Sequence, residues 1–381
     1  MTFNSINKYH FLIIRTDALG DTILTLPVVQ LIKQCFPDSK ISFLVGARAQ
    51  ELVKYQWGID DNYVMNGIFG LFRKFPKGVT HSIFFGGSQW VNLVSLFKGV
   101  KFRGGLRNKL ASFFLLNWGE RQARSQVTRH ELEYNLDLVK GVILKILEKN
   151  DFDLDLGLKK KIKSIIFDPF RINDFRPCLN IDNQLIEDSK KFLLDQCGKQ
   201  NIQIDTKFEY AVIHPAMSSH TLNWPVANYA NLINDKKKIF KDLVWVVTST
   251  KVDLEQIEKL KSHLTAPRTN VVFFDGGPVG LKGLMGLLKG AKFFVGPSTG
   301  PIHLAWALNV KIFGFYSPIK AQSPARWAPY QTNGGHIFWP TGYDKDVICE
   351  ERVRCAGEKC PHYFCMEKMK VEDVIQLIAS R

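Results

Sequence analysis

The stretch IIRTDALGDTILTLP, residues 13–27, reads as a buried strand, a short loop and the start of a helix. A strand-loop-helix unit of this kind is the opening of a parallel α/β sheet. Nucleotide-binding versions of the unit carry several glycines in the loop, so that backbone N–H groups can approach a phosphate. Here there is one, Gly20, followed directly by an acid, Asp21. A carboxylate would repel a phosphate, so the loop has another task. Asp21 is either a helix cap, worth about 1 kcal/mol, or a base. At a helix N-terminus its ionised form is favoured, and it is expected to be charged at neutral pH.

Outward from this stretch the rhythm repeats. YHFLIIR precedes the helical segment DTILTLPVVQLIKQCF, SKISFLVG precedes ARAQELVKYQ, and HSIFF follows as a further strand. From Phe152 to Asp205 the pattern weakens into a segment rich in Lys, Asp and Asn, which reads as the passage between domains; its KKKIK run reads as a solvated face. The rhythm restarts at EYAVIHPA and continues through DLVWVVTST, TNVVFFDGG, AKFFVGPSTGPIHLAWAL and VKIFGFYSP. Two α/β domains in series follow, at 1–180 and 181–345, with a cysteine-rich tail and closing helix at 346–381. Ligands of such sheets sit at the carboxyl ends of strands.

Two loops of the second domain have the chemistry for an anion. In FFVGPSTGPIHLAWAL the strand Phe293–Val295 gives way to the loop Gly296–Gly300. Pro301 suits the first turn of a helix, and His303 lies on that turn. Backbone N–H groups at Thr299 and Gly300 face outward there, with hydroxyls from Ser298 and Thr299. The loop after Tyr210–Ile213 carries Ser218, Ser219 and Thr221 before Trp224 and Pro225. At a third junction, VVTSTKVDLEQIEKL, Asp253 and Glu255 are helix caps or ribose partners.

The chain has 381 residues, 45% of them hydrophobic and 23% charged, with a net charge of +15. Such a balance excludes global disorder and points to an anionic partner. Neither a secretory signal nor an apolar run long enough to span a membrane is legible. Eight basic residues between Lys98 and Arg129 face one acid, Glu120, and LASFFLLNW is interleaved with them. That mixture suits a phosphorylated lipid-linked sugar or an anionic bilayer; the alternative is a basic surface over a buried helix. No nucleic-acid module is legible. Of seven cysteines, Cys349, Cys355, Cys360 and Cys365 crowd the tail without a CxxC pair. Metal binding (with His362), a local disulfide and free thiols are all open.

RTDALGDTILTLP, HPAMSSHTLNWP, the long segment from FFDGGPVG to FGFYSP, and SPARWAPY together resemble glycosyltransferase family nine, the heptosyltransferases. RHELEYNLDLV matches more loosely, and the resemblance runs from about Phe11 to Ile378. It implies the GT-B architecture: α/β, two Rossmann-like domains with parallel sheets facing across a cleft. It implies an inverting, metal-independent transfer of heptose from ADP-heptose to the lipid A-linked core oligosaccharide, with no cofactor. The enzyme would be cytoplasmic and peripheral on the anionic inner membrane. By position Asp21 is then the catalytic base. Ser218, Ser219, Gly296, Ser298, Thr299, Gly300 and His303 would bind the donor, and Arg15, Arg103, Arg107 and Lys109 the acceptor. Two positions depart from the family pattern: Leu222 stands where many members have a phosphate-contacting lysine, and Ser298 where many have an Asp. These departures leave open another nucleotide-sugar donor, or a non-catalytic binder on the same scaffold.

Overall fold

The computed structural model describes residues 9–149, 155–168, 174–204, 207–217, 222–235, 240, 242–265, 270–340, 349, 355, 359–360 and 364–381. The chain divides into two compact units. The first is Met1–Arg124 with Arg129–Asn180, and the second is Ser125–Thr128 with Ile181–Arg381.

The first unit holds β1 (His10–Arg15), β2 (Lys40–Val45), β3 (Asp61–Val64), β4 (His81–Gly86) and β5 (Phe102–Gly105). They form one sheet in the order β3-β2-β1-β4-β5, parallel throughout. Every residue of β1 is buried, as a central strand covered on both faces requires. The helical segment after β1 is two helices, Leu19–Thr25 and Pro27–Cys35. Pro27 has no N–H to continue the first helix but fits the opening turn of the second. β3 and β5 do not stand out in the sequence, because β3 is only half-buried and β5 reads FRGG.

The segment expected as an inter-domain passage carries two helices, Leu156–Ile166 and Asn183–Lys199. Asp155 and Asp182 cap them, accepting the N–H groups of Leu158 (2.9 Å) and Leu185 (2.7 Å). The lysine run lies on the first of these helices, whose Ile162 and Ile166 are buried.

The second unit holds β6 (Glu209–Ile213), β7 (Leu243–Thr248), β8 (Val271–Phe274), β9 (Phe294–Pro297), β10 (Ile312–Phe315) and β11 (His336–Phe338). Their order is β11-β10-β9-β6-β7-β8, again all parallel. Trp224 stacks on Phe315 with ring centroids 4.3 Å apart, and its indole N–H donates to the Met369 carbonyl at 2.8 Å. Val374, Ile375 and Ile378 of the closing helix Val371–Ser380 join the same apolar cluster, as does Cys365. His362 lies outside the described residues. Among the described residues no three of His, Cys, Asp and Glu are grouped as a metal ion would need. No helix among them is long and apolar enough to cross a membrane.

Both sheets reverse their winding once. In the first, the chain leaves β1 through β2 and β3 and resumes on the other side at β4. In the second it leaves β6 through β7 and β8 and resumes at β9. A crevice opens beyond the carboxyl ends of the two strands at such a switch. The quoted loop after β1 and the GPSTGP loop after β9 each stand at one.

Candidate active site

Asp21 is the third residue of the helix Leu19–Thr25, whose cap position is Ala18. It is therefore not a capping residue. Its carboxylate accepts a charge-assisted hydrogen bond from Arg15 at the end of β1. The Arg15 guanidinium also donates from Nε to Asp17 at 2.7 Å and from NH1 to the Phe85 carbonyl at 3.1 Å, and its NH2 lies 3.9 Å from Glu131. Glu131 in turn pairs with Arg124, which also donates to Asn135 Oδ1 at 3.1 Å. Asn135 closes the chain by donating to the Leu24 carbonyl at 3.0 Å, on the helix that bears Asp21.

Burial dominates the electrostatics. It raises the Asp21 carboxyl above the ordinary aspartate range, against the downward pull of Arg15; Asp17 and Glu131 add to the rise. The helix end favours the ionised form of Asp21, and burial works against it. A partly exposed carboxylate with raised basicity, at a sheet switch point, has the properties of a general base.

The loop after β4 closes on this site. Gly87 has φ of +99°, and a Cβ there would come within 2.1 Å of the Thr16 hydroxyl oxygen. Only glycine fits both demands. The contact lets the Ser88 N–H donate to Thr16 Oγ1 at 3.0 Å, fixing the turn that carries Asp17 and Asp21.

The expected acceptor residues divide. Arg15 is buried and committed to Asp17, Asp21 and Phe85, so it positions Asp21 rather than offering itself to a ligand. Arg103 donates to the carbonyls of Leu115 (2.9 Å) and Val100 (2.6 Å), and so ties together the chain on either side of β5. Arg107 donates to the Leu116 carbonyl at 2.7 Å. Together with the exposed Lys109 and with Arg121 it lines an open surface hollow. The helix Leu110–Leu115 is exposed, which corrects the alternative of a buried helix under a basic surface.

In the second unit, β9 ends at Pro297 and Thr299 occupies the cap position of the helix Gly300–Ala307. The Thr299 hydroxyl donates back to the Pro297 carbonyl at 3.3 Å, and no side chain caps this terminus. Pro301 has no N–H and the Ile302 N–H donates to the Thr299 carbonyl at 3.2 Å, so what this terminus offers an anion is the Gly300 N–H and the positive end of the helix dipole. Gly296 is buried, and a Cβ there would meet the His214 carbonyl at 3.0 Å, so glycine is what allows β9 to lie close to the end of β6. The Ser298 N–H donates to the Phe315 carbonyl at 3.1 Å. His303 is buried, its ring 6.4 Å from that of Trp327. Ser218 and Ser219 lie outside the described residues. Leu222 is half-buried against the apolar cluster.

Beside this helix lies a cavity of about 530 Å³. His214, Thr248, Ser249 and Thr250 line it from the ends of β6 and β7, Phe274 and Asp275 from the end of β8, and Pro301 from the helix. An apolar wall with a few convergent polar groups is the usual form of a small-molecule site. Asp253 accepts from both the N–H (2.8 Å) and the hydroxyl (2.6 Å) of Thr250, closing a capping box on the short 3-10 turn Lys251–Asp253 rather than capping the helix that follows. Glu255 is exposed and pairs with Lys259 at 2.7 Å.

Several residues escaped the sequence reading. Glu131 and Asn135 stand four apart on a helix whose Leu132, Leu136 and Val139 are buried. Two polar residues on a buried face were the available signal. His214 and Thr248 are the polar residues that end two apolar strands, and His214 Nδ1 lies 3.0 Å from Thr248 Oγ1.

Comparison with known proteins agrees with this geometry. The profile of glycosyltransferase family 9 (heptosyltransferase) matches residues 87–355. A Haemophilus influenzae protein named only provisionally as a glycosyltransferase is 24% identical over 89% of this chain and 92% of its own. The lipopolysaccharide core heptosyltransferase OpsX of the same organism is 22% identical over 84% and 81%. In three dimensions the chain is similar to the Escherichia coli ADP-heptose LPS heptosyltransferase II, with a TM-score of 0.70 at 17% identity, covering 97% of this chain and 98% of that one. At that identity the likeness establishes the fold: two Rossmann-like units, each with its parallel sheet.

Proposed function

The chain belongs to glycosyltransferase family 9, the heptosyltransferases, and from that premise we propose that it moves heptose from ADP-heptose onto the inner core of lipopolysaccharide. It is a glycosyltransferase; the donor and acceptor are our reading. The reading draws on the activities after which the OpsX and heptosyltransferase II relatives are named. The observation that carries it is the Asp21 carboxylate, raised in basicity by burial and oriented by Arg15 at a sheet switch point.

In the proposed reaction Asp21 accepts the proton of the acceptor hydroxyl as that oxygen attacks the anomeric carbon. The bond from that carbon to the phosphate oxygen breaks on the opposite side, so configuration inverts and ADP leaves. The developing diphosphate charge meets the uncapped N-terminus of Gly300–Ala307, with Ser218, Ser219 and Ser298 as hydroxyl donors and the Thr299 hydroxyl turning from the Pro297 carbonyl to join them. The base and ribose occupy the adjoining cavity, against Phe274 and the hydroxyls after β7. This division of labour needs no metal ion. The acceptor is anchored in lipid, so the enzyme works at the cytoplasmic face of an anionic membrane.

Incubation with ADP-heptose and lipopolysaccharide from a core-deficient strain is expected to release ADP and extend the acceptor. No release with any core acceptor would reject the reading. Leu222 and Ser298 favour a second version, the same transfer from a different nucleotide sugar, because one positive and one negative donor contact are missing. A panel of sugar nucleotides distinguishes the two.

A further inference from the structure

In the first unit the helix Trp90–Phe97 packs against both Gly67–Lys74 and Leu110–Leu115. Leu71, Val91, Val94 and Leu116 bury the inner side of this group in one apolar cluster. The outer side is apolar as well. Among the described residues, eight of the fifteen exposed large hydrophobic side chains lie on these three short helices. Phe69 is 84% exposed and Phe114 74%, and Trp90, Phe97 and Phe113 are also more than half exposed.

The polarity of the helix Leu110–Leu115 is inverted, and the helix Trp90–Phe97 buries polar side chains alongside Val91 and Val94. Ser112 is fully buried while Leu110, Phe113 and Phe114 face outward, and Asn92 and Ser95 are fully buried while Trp90 and Phe97 face outward. A soluble helix places these side chains the other way round. An aromatic face of this extent on a soluble unit marks an interaction surface.

Charge identifies the partner. Residues 62–119 contain no Asp or Glu and eight Lys or Arg. Lys98 Nζ lies 3.9 Å from the centroid of the Phe72 ring, and the Arg107 guanidinium 5.4 Å from that of Phe113. Cations are thus held at the level of the aromatic rings, where apolar stems and charged tips meet an interface together. A second copy of this chain would bring like charge against like across an isologous contact. A nucleic acid offers phosphates but no apolar phase for Phe69, Phe97 and Phe114.

We propose that the outer face of helices Gly67–Lys74, Trp90–Phe97 and Leu110–Leu115 is the surface by which the enzyme seats into an anionic bilayer. Its aromatic side chains enter the acyl boundary and its lysines and arginines pair with headgroup phosphates. The proposal rests on the reading above in taking a membrane as the enzyme's workplace, and adds that it is held there by insertion as well as by charge. The helix Trp90–Phe97 begins two residues after Ser88, whose N–H holds the Thr16 side chain. The inserted face is thereby tied by one short loop to the turn that carries Asp21.

The test is co-sedimentation with phosphatidylglycerol-containing vesicles and with pure phosphatidylcholine vesicles, for wild type and for Phe69→Ser/Phe97→Ser/Phe114→Ser. Wild type is expected to bind the anionic vesicles preferentially, with weaker but surviving binding at high salt. It should also show a blue-shifted tryptophan emission that Trp90→Phe diminishes. The triple variant should bind roughly tenfold less or weaker still, with an unchanged unfolding midpoint and unchanged ADP release on a deacylated, water-soluble acceptor. Equal vesicle binding by the triple variant would overturn the proposal. So would self-association of the wild type that the variant abolishes. Vesicle binding without turnover of any sugar nucleotide rejects the function and supports the surface. Turnover on a soluble acceptor without vesicle binding does the reverse.

Discussion

The Arg15 guanidinium, at the end of a fully buried strand, holds the carboxylate of Asp21 on the first turn of the following helix. Around this pair stand Asp17, Glu131 and Arg124, so three carboxylates meet two guanidiniums and one negative charge is in excess. Burial is the main reason that the Asp21 carboxyl is raised, and the excess negative charge from Asp17 and Glu131 adds to it. Asp21 borders solvent while Glu131 is sealed in, so Asp21 is the member that can exchange a proton.

Replacing Asp21 by Asn tests the base directly. Arg15 keeps Asp17 and Glu131, so the fold should survive with an unfolding midpoint within a few degrees of wild type. Turnover should fall by about 10²–10⁴-fold, the range for loss of a positioned base, with KM for the sugar nucleotide nearly unchanged. Retention of most of the turnover in steady-state assays would remove Asp21 from the mechanism.

Glu131→Gln tests the network behind it. Asp21 must be ionised to act, so activity is lost as pH falls through its raised pKa. Glu131 helps raise that pKa. Removing its charge favours ionised Asp21, and the acid limb of the kcat profile should move to lower pH. A purely structural role would lower kcat or stability without moving the limb. The variant also leaves Arg124 short of a buried partner, so some loss of stability accompanies the shift.

The central strands and the two switch-point loops were legible because strands buried on both faces are continuous apolar runs, as in HFLIIR and LVWVVT. The half-buried β3 and the glycine-rich β5 carry no such run, and their place at one edge and beside β4 comes from pairing with neighbours. The resemblance supplied Asp21 as a site, but not its partners. Glu131 lies more than a hundred residues away, and only the packing of its helix brings it to Arg15. Arg15 was expected to bind the acceptor, because neither its burial nor its bonds to Asp17, Asp21 and Phe85 can be read from a one-dimensional sequence. The sequence left LASFFL open between a lipid-facing and a buried helix: six residues do not say which side of a helix faces the core, and the usual rule gives the wrong side here.

Trp224 links the chain's end to the second unit. Trp224→Phe should leave the Met369 carbonyl without its indole donor, at a cost of about 1–3 kcal/mol. Trp224→Ala should cost about 3–5 kcal/mol by opening a cavity beside Phe315 and Tyr229. Urea unfolding followed by far-UV circular dichroism measures both. A loss in Trp224→Ala no larger than in Trp224→Phe would mean that the ring's packing contributes little.

Acid should weaken the fold through two buried histidines. Burial lowers the pKa of His10, whose Nε2 lies 2.8 Å from Ser42 Oγ, and of His214, beside Thr248. In the unfolded chain each takes up a proton near the ordinary value of 6.5, whereas the folded chain resists until lower pH. The unfolded state therefore binds more protons below that value, and stability falls as pH drops from there toward the folded pKa values. Asp21 works in the opposite sense, since its raised pKa makes the folded state the better proton acceptor. The thermal midpoint should thus decline between about pH 7 and pH 5, where histidine titration dominates. In a His10→Asn/His214→Asn variant that slope should flatten, whatever the midpoint at neutral pH. An unchanged slope would place the acid sensitivity elsewhere.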